Sequence, residues 1–141
     1  MSSVPFHYVD VQAFCYATED EVRVERALRH LLPEDHAVER TENAGFHGDP
    51  IVVLTARVEN ADGVRHVLSQ LADLADIEGV LDELDRRVTE DCELYLYLDK
   101  QAALSGSVEL GEGLSVRGKV EAYPAKKQSA IENVREAFDG L

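Results

Sequence analysis

The residues best suited to holding an anion lie late in the chain. All four lysines, Lys100, Lys119, Lys126 and Lys127, fall at or beyond position 100. Residues 99–128 hold five basic and four acidic groups, whereas residues 1–98 hold eight arginines against twenty-one acids. A strongly acidic chain that keeps its ammonium groups in one stretch points there for a negatively charged partner. Arg117 and Lys119 are two apart on a strand pattern, so they leave one sheet face roughly 7 Å from each other. Lys126 and Lys127 open the last helical pattern, where free backbone amides add to their charge. Tyr95, Tyr97 and Tyr123 offer rings on which an unpaired base can stack. The same residues also read as a solvated sheet face and helix start, with tyrosines packed beneath a helix.

Two further groups can carry chemistry. In Asp99-Lys100-Gln101, a strand end delivers an acid, a base and an amide into a short helical turn that Asp99 can cap. Lys100 and Gln101 are then expected to face solvent or the glycine-bearing loop, unless Asp99 and Lys100 pair with each other or with neighbours. That loop, Gly45-Phe46-His47-Gly48-Asp49-Pro50, sets His47 near Asp49 as a conceivable acid–base pair. No nucleophile accompanies them: no serine elbow is present and no cysteine is near in sequence. His7, His30, His36 and His66 show no metal spacing, and there is no Walker loop or dinucleotide fingerprint. No cofactor is expected.

The elements that must position these residues follow from periodicity. Val4–Ala17 reads as a central strand, with Val9, Val11, Ala13 and Cys15 on one face and Phe6, Tyr8, Asp10, Gln12, Phe14 and Tyr16 on the other. Thr18-Glu19-Asp20-Glu21 reads as a capping box for a helix reaching about Leu32. Residues 36–42 form a short strand and Ile51–Val58 a β-branched one. Asn60 or Asp62 caps a helix with Val64, Val67, Leu68 and Leu71 on one face, and a second helical pattern follows around Gly79. Glu93–Leu98 alternates cleanly. Residues 108–120 suggest a hairpin about Gly111-Glu112-Gly113. Pro124 starts a last helix with Ile131, Val134 and Phe138 inward. The expected fold is α+β, a mostly antiparallel sheet with helices packed on one face.

Composition sets the class. The 141 residues are 45% hydrophobic with a net charge of −14, which fits one domain with a proper core. No apolar run is long enough to span a membrane, and no basic-then-apolar start suggests secretion, so a cytoplasmic setting with Cys15 and Cys92 as buried thiols is expected. Abundant scattered acids, few lysines and no tryptophan resemble proteins of salt-loving archaea, in which molar salt screens self-repulsion over about 3 Å.

Three segments, in order, carry a family resemblance: Thr18-Glu19-Asp20 after the first strand, Gly45-Phe46-His47-Gly48-Asp49-Pro50-Ile51, and Leu98-Asp99-Lys100-Gln101-Ala102-Ala103. They resemble the marks of an archaeal family of RNA-binding proteins, sometimes labelled predicted exosome subunits. Asp49 and Tyr97 stand where that family more often has Asn and Arg. The resemblance implies a fold similar to the large-subunit ribosomal protein that binds 5S RNA, and a binding role without enzyme activity. The RNA-contacting residues are then Lys100, Gln101, Arg117, Lys119, Lys126 and Lys127, with His47 lining the adjoining loop. The implied partners are RNA and RNA-processing proteins, in RNA processing or ribosome assembly. Two alternatives stand beside this: a protein–protein adaptor docking through acidic helices, and a small enzyme built on His47, Asp49 and Asp99.

Overall fold

The computed structural model describes residues 4–44 and 48–141. Five strands are present: β1 (Phe6–Cys15), β2 (Glu39–Ala44), β3 (Pro50–Val58), β4 (Glu93–Asp99) and β5 (Gly113–Val120). They form one antiparallel sheet in the order β2-β3-β1-β5-β4, so β1 is central as its two-sided pattern implies. Among the described residues there are also six helices: α1 (Glu21–Arg29), α2 (Ala61–Leu71), α3 (Ile77–Asp82), α4 (Leu84–Arg87), α5 (Lys100–Leu104) and α6 (Lys127–Asp139).

The core lies on one side of the sheet. Val9, Val11 and Ala13 of β1, Leu54 and Val58 of β3, Leu94 and Leu96 of β4 and Val116 of β5 alternate inward. They join Val24 and Leu28 of α1, Val64 and Val67 of α2, Val80, Leu84 and Val134 in a single buried cluster. The expected inward faces of the helices therefore hold. So does the α+β plan, with the helices gathered over one face.

Several local expectations are corrected. Phe6 does not share the face of Tyr8: the β1–β5 register slips between these two residues, and the extra residue turns the Phe6 ring into the core at 6% exposure. Gly118 makes room for it. A methyl on Gly118 would lie 2.7 Å from the ring's Cε1. The hairpin expected at 108–120 is a single strand, β5, because its first arm caps the end of β4 instead. The Asp99 amide donates to the Glu109 carbonyl at 2.8 Å, and the Lys100 amide to that of Glu112 at 2.9 Å. Thr18 is not the cap of α1; Asp20 is, its Oδ1 accepting from the Val22 amide at 3.0 Å. Asn60 caps α2 through the Gly63 amide at 2.7 Å. The helical pattern around Gly79 breaks at Glu83 into α3 and α4. Cys15 and Cys92 are buried free thiols, as expected.

Replacing Gly118 by alanine pushes a methyl into the Phe6 ring and is expected to cost about 1–3 kcal/mol, the usual penalty for overpacking. Denaturant titration at constant molar KCl measures it. Phe6→Leu in the same chain should recover part of that loss, since residues in contact do not add.

Candidate nucleic-acid interface

Strand register brings the motif segments to one end of the sheet. Cys15 at the end of β1 lies opposite Val52, and Pro50 at the start of β3 lies opposite Ala44. Ala13 faces Leu114, which faces Leu98, and Asp99 faces Gly113. The turn after β1, the start of β3 and the β4–α5 junction therefore share an end.

At that junction Lys100 turns inward, contrary to the expectation that it faces solvent. It is 5% exposed. Its Nζ donates to Glu19 Oε1 at 2.6 Å and to the Phe14 carbonyl at 2.8 Å, and stands 4.9 Å from the centre of the Tyr16 ring. Glu19 also accepts from the Tyr16 amide at 3.0 Å. Gly113 makes this path available: its φ is +108°, and a side chain there would come within 2.6 Å of Lys100 Cβ. Asp99 caps α5 as expected, accepting from the amides of Gln101 (2.8 Å) and Ala102 (3.3 Å). The Asp-Lys-Gln mark thus ties β4 and α5 to the Thr-Glu-Asp mark after β1.

The other lysines do not join it. β5 runs away from Gly113, and six residues at ~3.3 Å each carry Lys119 roughly 20 Å along the sheet. There Lys119 donates to the Asp91 carbonyl, Lys127 lies 3.8 Å from Asp85, and Lys126 is exposed. The sequence cluster of four lysines is therefore not one surface. Gln101 is exposed at the Lys100 end, and Tyr123, 82% exposed, stands just before α6. His47 lies outside the described residues. Asp99, named with His47 and Asp49 for an acid–base site, has its Oδ1 engaged in capping.

Among the described residues no helix covers the sheet face opposite the core, where outward side chains of β1, β4 and β5 are half-buried or exposed, and on it two cross-strand rows lie side by side. In the first, Tyr95 is opposite Arg117, Arg117 opposite Asp10, and Asp10 opposite Arg57. Asp10 holds both guanidiniums: Arg57 Nε and Nη2 at 2.8 and 2.9 Å, and Arg117 Nη2 at 2.7 Å. Glu93 lies 3.6 Å from Arg117. The Arg57 guanidinium covers the Tyr8 ring at 3.8 Å. In the second row Tyr97 is opposite Ser115, Ser115 opposite Gln12, and Gln12 opposite Thr55. A depression of about 840 Å³ spans both rows. Phe14 and Tyr97 expose 40% and 54% of their surface on this face. Sequence reading sets Tyr8, Asp10, Gln12 and Phe14 on the second face of a central strand but gives them no role, and it misses Arg57 entirely. The available signal was the Ile51–Val58 alternation, which sets Arg57 opposite Val52, Leu54, Ala56 and Val58.

Two carboxyls titrate low. Partial burial alone would raise Asp10, but hydrogen bonds from Arg57 and Arg117, with their charges, hold it below its ordinary 3.8. Burial would likewise raise Glu19, but the hydrogen bond from Lys100, the Tyr16 amide and the Lys100 charge hold it below 4.5. The Asp10 hydrogen bonds in turn raise Arg57 and Arg117. A carboxyl whose folded pKa is depressed contributes stability that is complete above its unfolded pKa and lost as pH falls through the folded one. Stability in molar KCl should therefore decline below about pH 4.5, and Glu19→Gln should remove its share of that decline. Glu19→Gln also strands a buried ammonium, at a cost on the order of 3 kcal/mol. Lys100→Met should cost less, because Glu19 is the more exposed partner, at 21% against 7%. Denaturation curves across pH check both.

Among the described residues no helix is long and apolar enough to cross a membrane, and no cluster of three His, Cys, Asp or Glu suits a metal ion. Comparison with known proteins fits the sheet-and-helix arrangement. The chain is 34% identical to an RNA-binding protein of Pyrococcus abyssi, over 95% of this chain and 94% of the relative. A solved DUF54 protein of Methanothermobacter thermautotrophicus shares 37% identity at a TM-score of 0.80, covering 94% of this chain and 98% of that one. A DUF54 structure from Archaeoglobus fulgidus shares 28% identity at a TM-score of 0.83, covering 94% and 99%. A family model described as RNA binding matches residues 8–121, which include β1 from Tyr8 onward, the other four strands and both rows of the open face, and the chain belongs to that family.

Proposed function

We propose that this chain is a non-enzymatic RNA-binding protein that meets RNA with the helix-free face of its sheet. The carrying observation is that face itself: four rings, Tyr8, Phe14, Tyr95 and Tyr97, and two guanidiniums, Arg57 and Arg117, stand on strands that no helix covers. Rings and guanidinium planes beside carboxamide and hydroxyl groups are what unpaired nucleotides bind. A family of RNA-binding proteins, and a relative named for that activity, support the reading.

Arg117 and Lys119 belong to this face. Gln101, Lys126 and Lys127 stay in the proposed contact set as polar groups at the starts of α5 and α6, with Gln101 and Lys126 exposed and Lys127 3.8 Å from Asp85 of α4. His47, which follows β2 and precedes β3 in sequence, stays in the proposed set through the family marks. Lys100 acts from beneath, by holding the Phe14 carbonyl and Glu19. The proposed setting is RNA processing with an exosome-type complex, or ribosome assembly, in a cell whose high salt suits the acidic composition.

Crosslinking of 4-thiouridine RNA in molar KCl, with the modified peptides mapped, tests the face. Crosslinks should fall on β1, β4 and β5; crosslinks confined to the start of α6 would refute the assignment. Arg117→Glu should weaken binding roughly tenfold or more, because it strips Asp10 and Glu93 of a neutralising partner and adds a further negative charge where the RNA backbone passes. Lys126→Glu should change it by less than about threefold, the effect of one exposed charge. Filter binding at fixed salt reads both.

A further inference from the structure

The two rows differ in what is left free. In the first, the two positive charges of Arg57 and Arg117 meet the two negative charges of Asp10 and Glu93, and every guanidinium is already hydrogen-bonded or ion-paired. In the second, the side chains of Gln12, Ser115 and Thr55 take part in none of the hydrogen bonds among the described residues, although each stands on a strand whose backbone is fully paired. Ser115 is the small member between Tyr97 and Gln12, so it leaves a slot floored by β5. The wall residues are two strands apart, about 10 Å between backbones. The whole depression, about 840 Å³, is of the size that holds a nucleotide rather than a helical duplex.

From this, resting on the RNA-binding reading above, we infer that the ligand is single-stranded RNA recognised chiefly through the uncharged row. An unpaired base stacks on Tyr97 and presents its edge to the Gln12 carboxamide, with Ser115 and Thr55 hydroxyls beside it. The adjacent row, about 7 Å away along the strands, lies where the sugar–phosphate passes. It contributes little net attraction, because Asp10 and Glu93 already neutralise its arginines. A duplex keeps its base edges paired and its rings stacked inside, so it cannot use the slot. This arrangement also predicts an unusual salt response. Binding carried by many freed phosphate counterions gives a slope of log K against log salt of about −0.7 per contact on a single strand. Six phosphate contacts would give roughly −4, whereas a neutralised row gives a shallow slope.

The probes are a twelve-nucleotide mixed-sequence RNA and the same strand annealed to its complement, titrated by fluorescence anisotropy across a KCl series. The single strand should bind at least about tenfold tighter than the duplex, with a slope shallower than about −2. At two solvent-reached positions, Tyr97→Ala should weaken single-strand binding about fivefold to 150-fold, the worth of one stacked base, and Gln12→Ala about twofold to tenfold, the worth of one neutral hydrogen bond. Both should leave the slope unchanged. Equal binding of duplex and single strand, a slope near −4, or full binding by Tyr97→Ala would overturn the inference while leaving RNA binding intact. No binding of either RNA at any salt would overturn the RNA-binding reading itself, and this inference with it.

Discussion

A sheet has two faces, and in this protein the helices that pack onto it supply apolar surface to only one. The four strands β1, β3, β4 and β5 must therefore alternate, and the positions denied to the core become a surface whose spacing is fixed by strand register rather than by loops. Val9, Val11 and Ala13 anchor β1 from below, and that anchoring sets Tyr8, Asp10, Gln12 and Phe14 above at regular intervals. A one-residue slip would exchange the two sets, so burial of the valines is what holds the open face in order. At the Phe6–Tyr8 irregularity the slip does occur, and Phe6 is lost to the core there.

Lysine is the residue most easily mistaken for a surface cation, and Lys100 shows why position decides its role. Its four-carbon stem crosses above Gly113, where any side chain would collide, and its ammonium reaches a carboxylate, a carbonyl and an aromatic ring. Removed from water with those partners, it cannot also neutralise a phosphate. Instead it fixes the end of β1 against the β4–α5 junction. Phe14, whose carbonyl it holds, projects its ring onto the open face, while Tyr16, whose ring it approaches, stands at the end of β1.

The face assignments of β1 from Tyr8 onward, of β4 and of β5, the inward sides of the longer helices and the cap at Asp99 were legible in the sequence, because each follows from period or from local hydrogen bonding, and the alternation of β3 carries the same signal. What was not legible depends on contacts between distant segments. Glu19 reads as the middle of a capping box until its partner, eighty-one positions away, is known. Residues 108–112 look like one arm of a hairpin until β4 takes up their carbonyls. Lys100 and Lys119 look like members of one cluster because nineteen positions seem close along a chain, yet they lie at opposite ends of β5. Arg57 acquires its meaning only through its register with Asp10.

The charge distribution then becomes a single physical solution. With a net charge of −14, a dilute-salt surface would repel RNA, and adding cations would only help where counterion release drives binding. Where salt is molar that driving force is gone, and long-range repulsion is screened over about 3 Å. Short-range contacts survive: stacking, forked hydrogen bonds and hydroxyl contacts. The open face has the composition those conditions favour. Its arginines are held in fixed planes by Asp10 instead of being left free, and its uncharged groups are left without partners. On the proposed reading, in molar salt the scattered acids need no compensating basic patch for this face to meet RNA, and lysines that lie on separate surfaces do not conflict with the family to which the chain belongs.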